Sequence, residues 1–303
     1  MDQFKTPILF IIFNRPETTA RVFSMIREIK PEKLFIVADG PRVDILSDQE
    51  KCTQAREVVA EIDWPCQVFR RFSDQNLGCD ANIGGGINWF FENVSEGIIL
   101  EDDCLPNISF FDFCATMLDR YRDNPRVMHI SGDNFLFGSK TIDASYYFSH
   151  YAHCWGWATW KRAWKYYDYY LKDYPEFVAT GGLDRIIVEL QQRKFWHKFF
   201  YHAYLGHNKS WDGKWIYAVM RRDGLSIVPQ VNLVSNIGFG VGATHTVTLD
   251  KSAGVETRPL GEIVHPAIVE PDLVADYLSF KNYFFVPLYK RVKSRLLSLF
   301  RSI

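Results

Sequence analysis

Through the first half of the chain, short apolar runs alternate with longer stretches in which apolar positions recur every three or four residues. The runs at 8–13, 34–38, 67–69, 98–100 and 127–130 read as buried strands. Between them, Pro16 opens a predicted helix whose Val22, Met25, Ile26 and Ile29 share one face, and 49–62 and 109–121 give two more helices. Strands joined by helical crossovers predict an α/β fold with a central sheet and flanking helices. Ligands of such sheets sit beyond the carboxyl ends of the strands, which directs attention to Asn14-Arg15, Asp39-Gly40 and Glu101-Asp102-Asp103.

The texture changes near Ser145. Trp155, Trp157, Trp160 and Trp164 crowd a short aromatic block, and the last three recur at the i, i+3, i+7 spacing of one helical face. That pattern predicts core packing, with ligand contact as the alternative. Further helices are predicted over 183–204 and from Ser210-Trp-Asp-Gly-Lys-Trp215 to 222, while Gly238, Gly240 and Gly242 mark a loop. With no repeat or low-complexity linker, the expectation is one domain over 1–270, its halves about 1–135 and about 136–270, then an appendage over 271–303. From Pro287 onward, Leu288, Tyr289, Val292, Leu296, Leu299, Phe300 and Ile303 form one stripe, with Lys290, Arg291, Lys293, Arg295 and Arg301 outside it. This basic amphipathic helix could bind an anionic membrane surface, or dock on its own domain or on a partner.

Composition narrows the class. The 303 residues are 47% hydrophobic and 23% charged, which excludes wholesale disorder, collagen and a multispan membrane protein. A net charge of −1 provides no field to gather nucleic acid. The six cysteines contain no CxxC pair and lack histidines at zinc-finger spacing, so no structural zinc site is expected, and scattered thiols fit a reducing compartment. The run at 8–13 is too short to span a bilayer and has no basic leader. The expected location is the cytoplasm, with the tail offering peripheral attachment to the inner membrane face.

The sharpest chemical signal is Gly97-Ile-Ile-Leu-Glu-Asp-Asp-Cys-Leu-Pro106, where a buried strand delivers three carboxylates to its end. Such crowding suits a hard divalent cation completed by substrate phosphates, Mn²⁺ or Mg²⁺; the alternative is an acidic loop in solvent. No GxGxxG follows the first strand and no GxxxxGK[ST] occurs, which removes the backbone cradles of dinucleotide and P-loop sites. Asn14-Arg15 instead offers an amide and a guanidinium fork suited to a ribose, base or diphosphate, or to a local ion pair. Gly84, Gly85 and Gly86 inside an apparent helix cost up to about 1 kcal/mol each relative to alanine, which implies close approach to a strand or a ligand. Asp212 lies between Trp211 and Trp215, where it could act as a general base or cap a helix. His245, in the glycine-rich loop, could reach a diphosphate or metal, or be structural.

Taken in order, 8–16, Val37-Ala-Asp-Gly40, 76–88, 98–106, Trp155-Gly-Trp157, Trp211-Asp212 and 238–245 resemble glycosyltransferases of the GT-A fold, a Rossmann-like nucleotide-diphospho-sugar transferase architecture. The similarity is greatest to the N-acetylglucosaminyltransferase I family and its bacterial relatives. The resemblance implies that Asp103 binds Mn²⁺, that Glu101 and Asp102 lie near the ribose and the metal's waters, and that Asp39 faces the uracil. It also implies that Asn14-Arg15 contacts the nucleotide, although the family carries Asp at position 14, and that Asp212 is the base. One residue more than in the family separates Asp212 from the second Trp. Trp157, Trp211 and His245 become candidate diphosphate or acceptor contacts. The implied function is metal-dependent, inverting transfer from a nucleotide-sugar, UDP-linked first, to a glycan, lipid-linked or protein acceptor in bacterial glycan or glycoconjugate synthesis. The rival readings are a sugar-phosphate nucleotidyltransferase and a non-catalytic carbohydrate-binding or adhesion protein that keeps the fold.

Overall fold

A computed structural model describes residues 3–239 and 254–285. In chain order the elements are β1 (Ile8–Ile12), α1 (Pro16–Ile29), β2 (Lys33–Ala38), α2 (Leu46–Val58), β3 (Gln67–Phe72), α3 (Cys79–Asn93), β4 (Glu96–Glu101), β5 (Cys104–Pro106), α4 (Ile108–Arg120) and β6 (Val127–Ser131). There follow β7 (Tyr146–Ser149), β8 (Trp157–Trp160), α5 (Lys161–Trp164), α6 (Tyr174–Ala179), α7 (Gly182–Ile186), α8 (Leu190–Tyr204), α9 (Trp211–Arg221), β9 (Leu225–Pro229), β10 (Val234–Asn236) and α10 (Leu273–Ser279). A π-helical turn, Phe280–Phe284, closes the described chain.

Eight strands form one mixed sheet in the order β3-β2-β1-β4-β8-β6-β9-β7. β1 to β4 run parallel where they pair, β8 runs antiparallel to both β4 and β6, and β7 antiparallel to β9. The fold is thus a mixed α/β sheet flanked by helices. Side chains alternate across it: Ile8, Phe10 and Ile12 enter the layer beneath α1, α2 and α4, and Leu9 and Ile11 enter the layer beneath α3, α8 and α9. Among the described residues no helix is long and apolar enough to cross a membrane.

Three expectations need correction. Trp157 and Trp160 lie in a strand, so the residues three apart face opposite layers: Trp157 joins the layer with Trp215 and Trp196, Trp160 the layer with Phe110. β3 is an exposed edge, and Arg70 and Arg71 blunt it. The helix expected over 183–204 breaks after α7, where Ile187 turns extended and Glu189 starts α8 by accepting from the Gln192 amide at 2.8 Å. Of the α3 glycines, Gly86 faces a strand, where a methyl would sit 3.0 Å from a Val37 methyl of β2, whereas Gly84 faces the Tyr167 ring and Gly85 the end of Arg71.

Candidate active site

β1 and β4 pair in parallel, so the same sheet edge receives Asn14-Arg15 and the acidic triplet. The Phe13 amide donates to Asp102 Oδ2 at 2.9 Å, and Arg15 donates to Asp102 Oδ1 at 3.2 Å and Asp103 Oδ2 at 2.6 Å. Asp102, 5% exposed, therefore ties two strand ends together. Burial drives the Glu101 carboxyl well above its usual range, and Asp103, Asp102 and Asp212 push the same way. Burial and Asp103 lift Asp102 to about 7 against the pull of Arg15. Burial works against the Arg15 charge, but Asp102 and Asp103 more than restore it. The three acids outnumber the guanidinium beside them, and burial with mutual repulsion favours the protonated forms of Glu101 and Asp102.

Two cavities meet here. One, of about 420 Å³, lies between the acids and the start of α9 and is lined by Trp155, Ser210, Trp211 and Asp212. The other, of about 300 Å³, runs over β1 and β2 beside Phe13, Asp39, Arg42, Asn76 and Asn82. Arg15, Cys79, Glu101 and Asp103 belong to both walls.

The remaining expected residues take distinct places. Asp39 Oδ1 accepts from the Gly40 and Leu77 amides at 2.8 Å, and Oδ2 accepts from the Gly78 amide and Asn76 Nδ2 at 3.1 Å. Its oxygens thus organise the turn that launches α3. Asn14 Nδ2 donates to Asp48 Oδ1 at 2.8 Å; Asp48 is held down to about 2, chiefly by its hydrogen bond from Arg42. Trp157 is fully buried, with its ring centroid 5.0 Å from His129 and 5.9 Å from Trp211, so Trp155 and Trp211 face the cleft in its place. Trp215 donates to His129 Nδ1 at 3.0 Å and His129 Nε2 lies 2.8 Å from the His153 carbonyl, which assigns the neutral Nε2–H tautomer. Burial agrees, lowering the His129 pKa to about 3. His245 and the tail over 287–303 lie outside the described residues.

Ser210 caps α9. Its Oγ accepts from the Gly213 amide at 3.2 Å, and its hydroxyl donates to Asp212 Oδ1. Asp212 occupies the first helical turn with its side chain in the cleft wall, so the capping falls to Ser210 and not to Asp212. Lys214 points away, donating to buried Asp80 and lying 3.6 Å from the Tyr169 ring centroid.

Sequence reasoning missed three features. The N-terminus of α3 opens on both cavities at Cys79; Gly78 before it, at φ 81°, was the available signal. Gly238 passes so close to Asp103 that a methyl there would collide with the carboxylate, while the Ile237 amide donates to the Asp103 carbonyl at 2.8 Å. Asp133, 1% exposed, has two carboxylate oxygens that accept no well-aligned hydrogen bond. It lines a small cavity of about 20 Å³ with His153, Cys154, Asp212 and Tyr283. Burial raises its carboxyl far above the usual range, and the backbone amides of Asp133 and Trp155 pull the other way only in part.

No family model and no curated protein sequence matches the chain significantly. Among solved structures it is similar to the mannosyltransferase PcManGT from Pyrobaculum calidifontis in complex with GDP-Man and Mn²⁺, at 12% identity and a TM-score of 0.34. That match covers 52% of this chain and 45% of the mannosyltransferase chain. A UDP-glucose pyrophosphorylase complexed with UDP-glucose matches at 12% identity and a TM-score of 0.28, over 48% of this chain and 62% of its own. The chain thus spans about half of the first relative and under two thirds of the second. These are partial overlaps and say nothing of the reaction.

Proposed function

We propose that this protein is a metal-dependent glycosyltransferase of the GT-A kind, moving a sugar from a nucleoside diphosphate, UDP first, to an acceptor hydroxyl with inversion. The observation that carries this reading is the wall shared by the two cavities, with Asp212 across the larger one from the acids. A nucleoside suits the smaller cavity beside Asn76, Asn82 and Arg42. Its diphosphate then crosses the shared wall, where Arg15 and the N-terminus of α3 supply positive charge.

The residues fit a metal that arrives with its phosphates. Among the described residues, no three His, Cys, Asp or Glu side chains group into a complete cage, yet the unbalanced acids at the strand end are hard oxygen donors. Asp103 would hold the ion, Mn²⁺ or Mg²⁺, which supplies charge neutralisation for the departing diphosphate. The chain's own part is positioning and proton transfer. As the acceptor oxygen attacks the anomeric carbon and the bond to the diphosphate breaks, Asp212 takes the hydroxyl proton, its carboxylate oriented by Ser210. Trp155 and Trp211 give the sugar an apolar wall.

The test is a panel of nucleotide-sugars incubated with purified protein in Mn²⁺ or chelator. Metal-dependent release of the nucleoside diphosphate, and loss of the metal-dependent gain in UDP affinity in Asp103→Ala, are expected. Pyrophosphate release from a nucleoside triphosphate and a sugar phosphate would replace this reading with that of a nucleotidyltransferase. Absence of turnover with every donor would favour a carbohydrate-binding protein.

A further inference from the structure

A separate depression, of about 650 Å³, lies along α8. Lys194, Lys198 and His202 recur there at four-residue spacing on one helical face, and the Phe195 and Phe199 rings, stacked 6.2 Å apart, form the neighbouring row. Gly206, at φ 74°, lets the chain fold back so that the His207 and Asn208 amides donate to the His202 carbonyl at 2.9 and 3.2 Å. This places the His207 ring 6.0 Å from that of His202. Among the described residues, no acidic side chain lines the groove. Neighbouring Arg193 is paired with Asp184, whereas among the described residues Lys194 and Lys198 enter no ion pair. Asn208 lines both this groove and the larger cavity of the active site, so the groove opens onto the side of the cleft where Asp212 stands.

We infer that this groove receives the acceptor, and that the acceptor is a saccharide joined through a phosphate or diphosphate to a hydrocarbon chain. The anionic linkage lies among Lys194, Lys198, His202 and His207; the hydrocarbon covers the Phe195 and Phe199 row; the sugar hydroxyl reaches past Asn208 to Asp212. The inference rests on the transferase reading above and deepens it by naming the acceptor class. Charge selects the occupant. Residues 286–303 follow directly from Phe285 at the groove's rim, but they carry five cations and no acid, which disfavours them within a basic groove.

The experiment uses full-length protein in chelator, so that the metal-dependent donor site stays silent, with decyl diphosphate and inorganic pyrophosphate as probes at low salt. Decyl diphosphate should bind at least about tenfold tighter than pyrophosphate, because roughly ten methylenes add apolar burial to the same charge. The surface variant K194E/K198E should lose about tenfold or more of that affinity while keeping its melting temperature and its UDP affinity in Mn²⁺. Equal binding of decyl diphosphate by variant and wild type would overturn the assignment. So would pyrophosphate binding as tight as decyl diphosphate, which would point to a soluble phosphosugar. If the wild type binds decyl diphosphate but no nucleotide, the donor reading fails and the groove stands; the converse result removes the groove alone.

Discussion

Asp133 gives the most direct physical test of the structure, because an unpaired acid at 1% exposure has to fold in its neutral form. Asn copies the shape of a protonated carboxyl and cannot ionise, so Asp133→Asn isolates the titration. Below the unfolded pKa of about 3.9, both folded and unfolded wild-type chains carry the proton. Above it the unfolded chain releases the proton that the fold retains, the folded state binds more protons, and stability falls as pH rises. The loss relative to the variant is about 1.4 kcal/mol per pH unit over the interval in which the folded carboxyl stays protonated. For a chain of this size that is a difference of about 2 °C in Tm per unit. His153, Cys154 and Asp212 share the cavity, and burial keeps His153 neutral down to about pH 3, so its titration largely cancels between variant and wild type. Urea unfolding of both proteins at intervals from about pH 4.5 to about 6.5 should show the gap widening with pH. A constant gap, or a wild type that gains on the variant as pH rises, would show that Asp133 is ionised in the fold and refute the reasoning.

Other expectations follow from single contacts. Lys214→Met strands Asp80 without its ammonium and should cost about 3–5 kcal/mol in denaturant unfolding, most of it recovered by adding Asp80→Leu. Gly86→Ala should destabilise by about 1–3 kcal/mol, because its methyl meets Val37 at 3.0 Å. Gly85→Ala, one residue earlier, meets only the end of Arg71 at 3.5 Å and should stabilise by up to about 1 kcal/mol, as read by thermal melts. Asp212→Asn should lower turnover about 10²-fold with melting temperature and UDP affinity retained, whereas Ser210→Ala should lose about 1 kcal/mol of helix capping. An Asp212→Asn protein that transfers sugar at the wild-type rate would remove the base assignment.

How much of this was legible followed from burial. β1, β2 and β4 announce themselves by unbroken apolar runs because both faces are covered, and β6 does so with His129 interrupting it. The same double burial hid β8: Trp157 and Trp160 fill opposite layers, and their spacing happens to coincide with a helical stripe that runs on to Trp164. Glu101 and Asp103 could be picked out because a strand end is readable from its run. Asp133 could not, because what sets it apart is burial without a counter-charge among the described residues, which no local pattern records. The Gly238 approach to Asp103 and the fold-back at Gly206 likewise depend on residues distant in sequence or on loop geometry.

β8 has a consequence for how the molecule assembles. Among the described residues of the eight-stranded sheet β4 and β6 do not pair, and Trp157–Trp160 joins the parallel flank β3-β2-β1-β4 to the flank β6-β9-β7. Each of its pairings spans a long stretch of chain, with Ile99 opposite Trp157 and Ile130 opposite Ala158. Both stretches are shorter than the one closed by β6 and β9, where Val127 lies opposite Leu225, so β8 is expected to bridge β4 and β6 before β9 enters the sheet. Cys154 and Trp155, just ahead of β8, line the cleft, and Asp133 sits just beyond β6. The wall of the larger cavity at Cys154 and Trp155 would then form in the step that joins the sheet, and a chain arrested before that step would hold the residues of the smaller cavity without that wall.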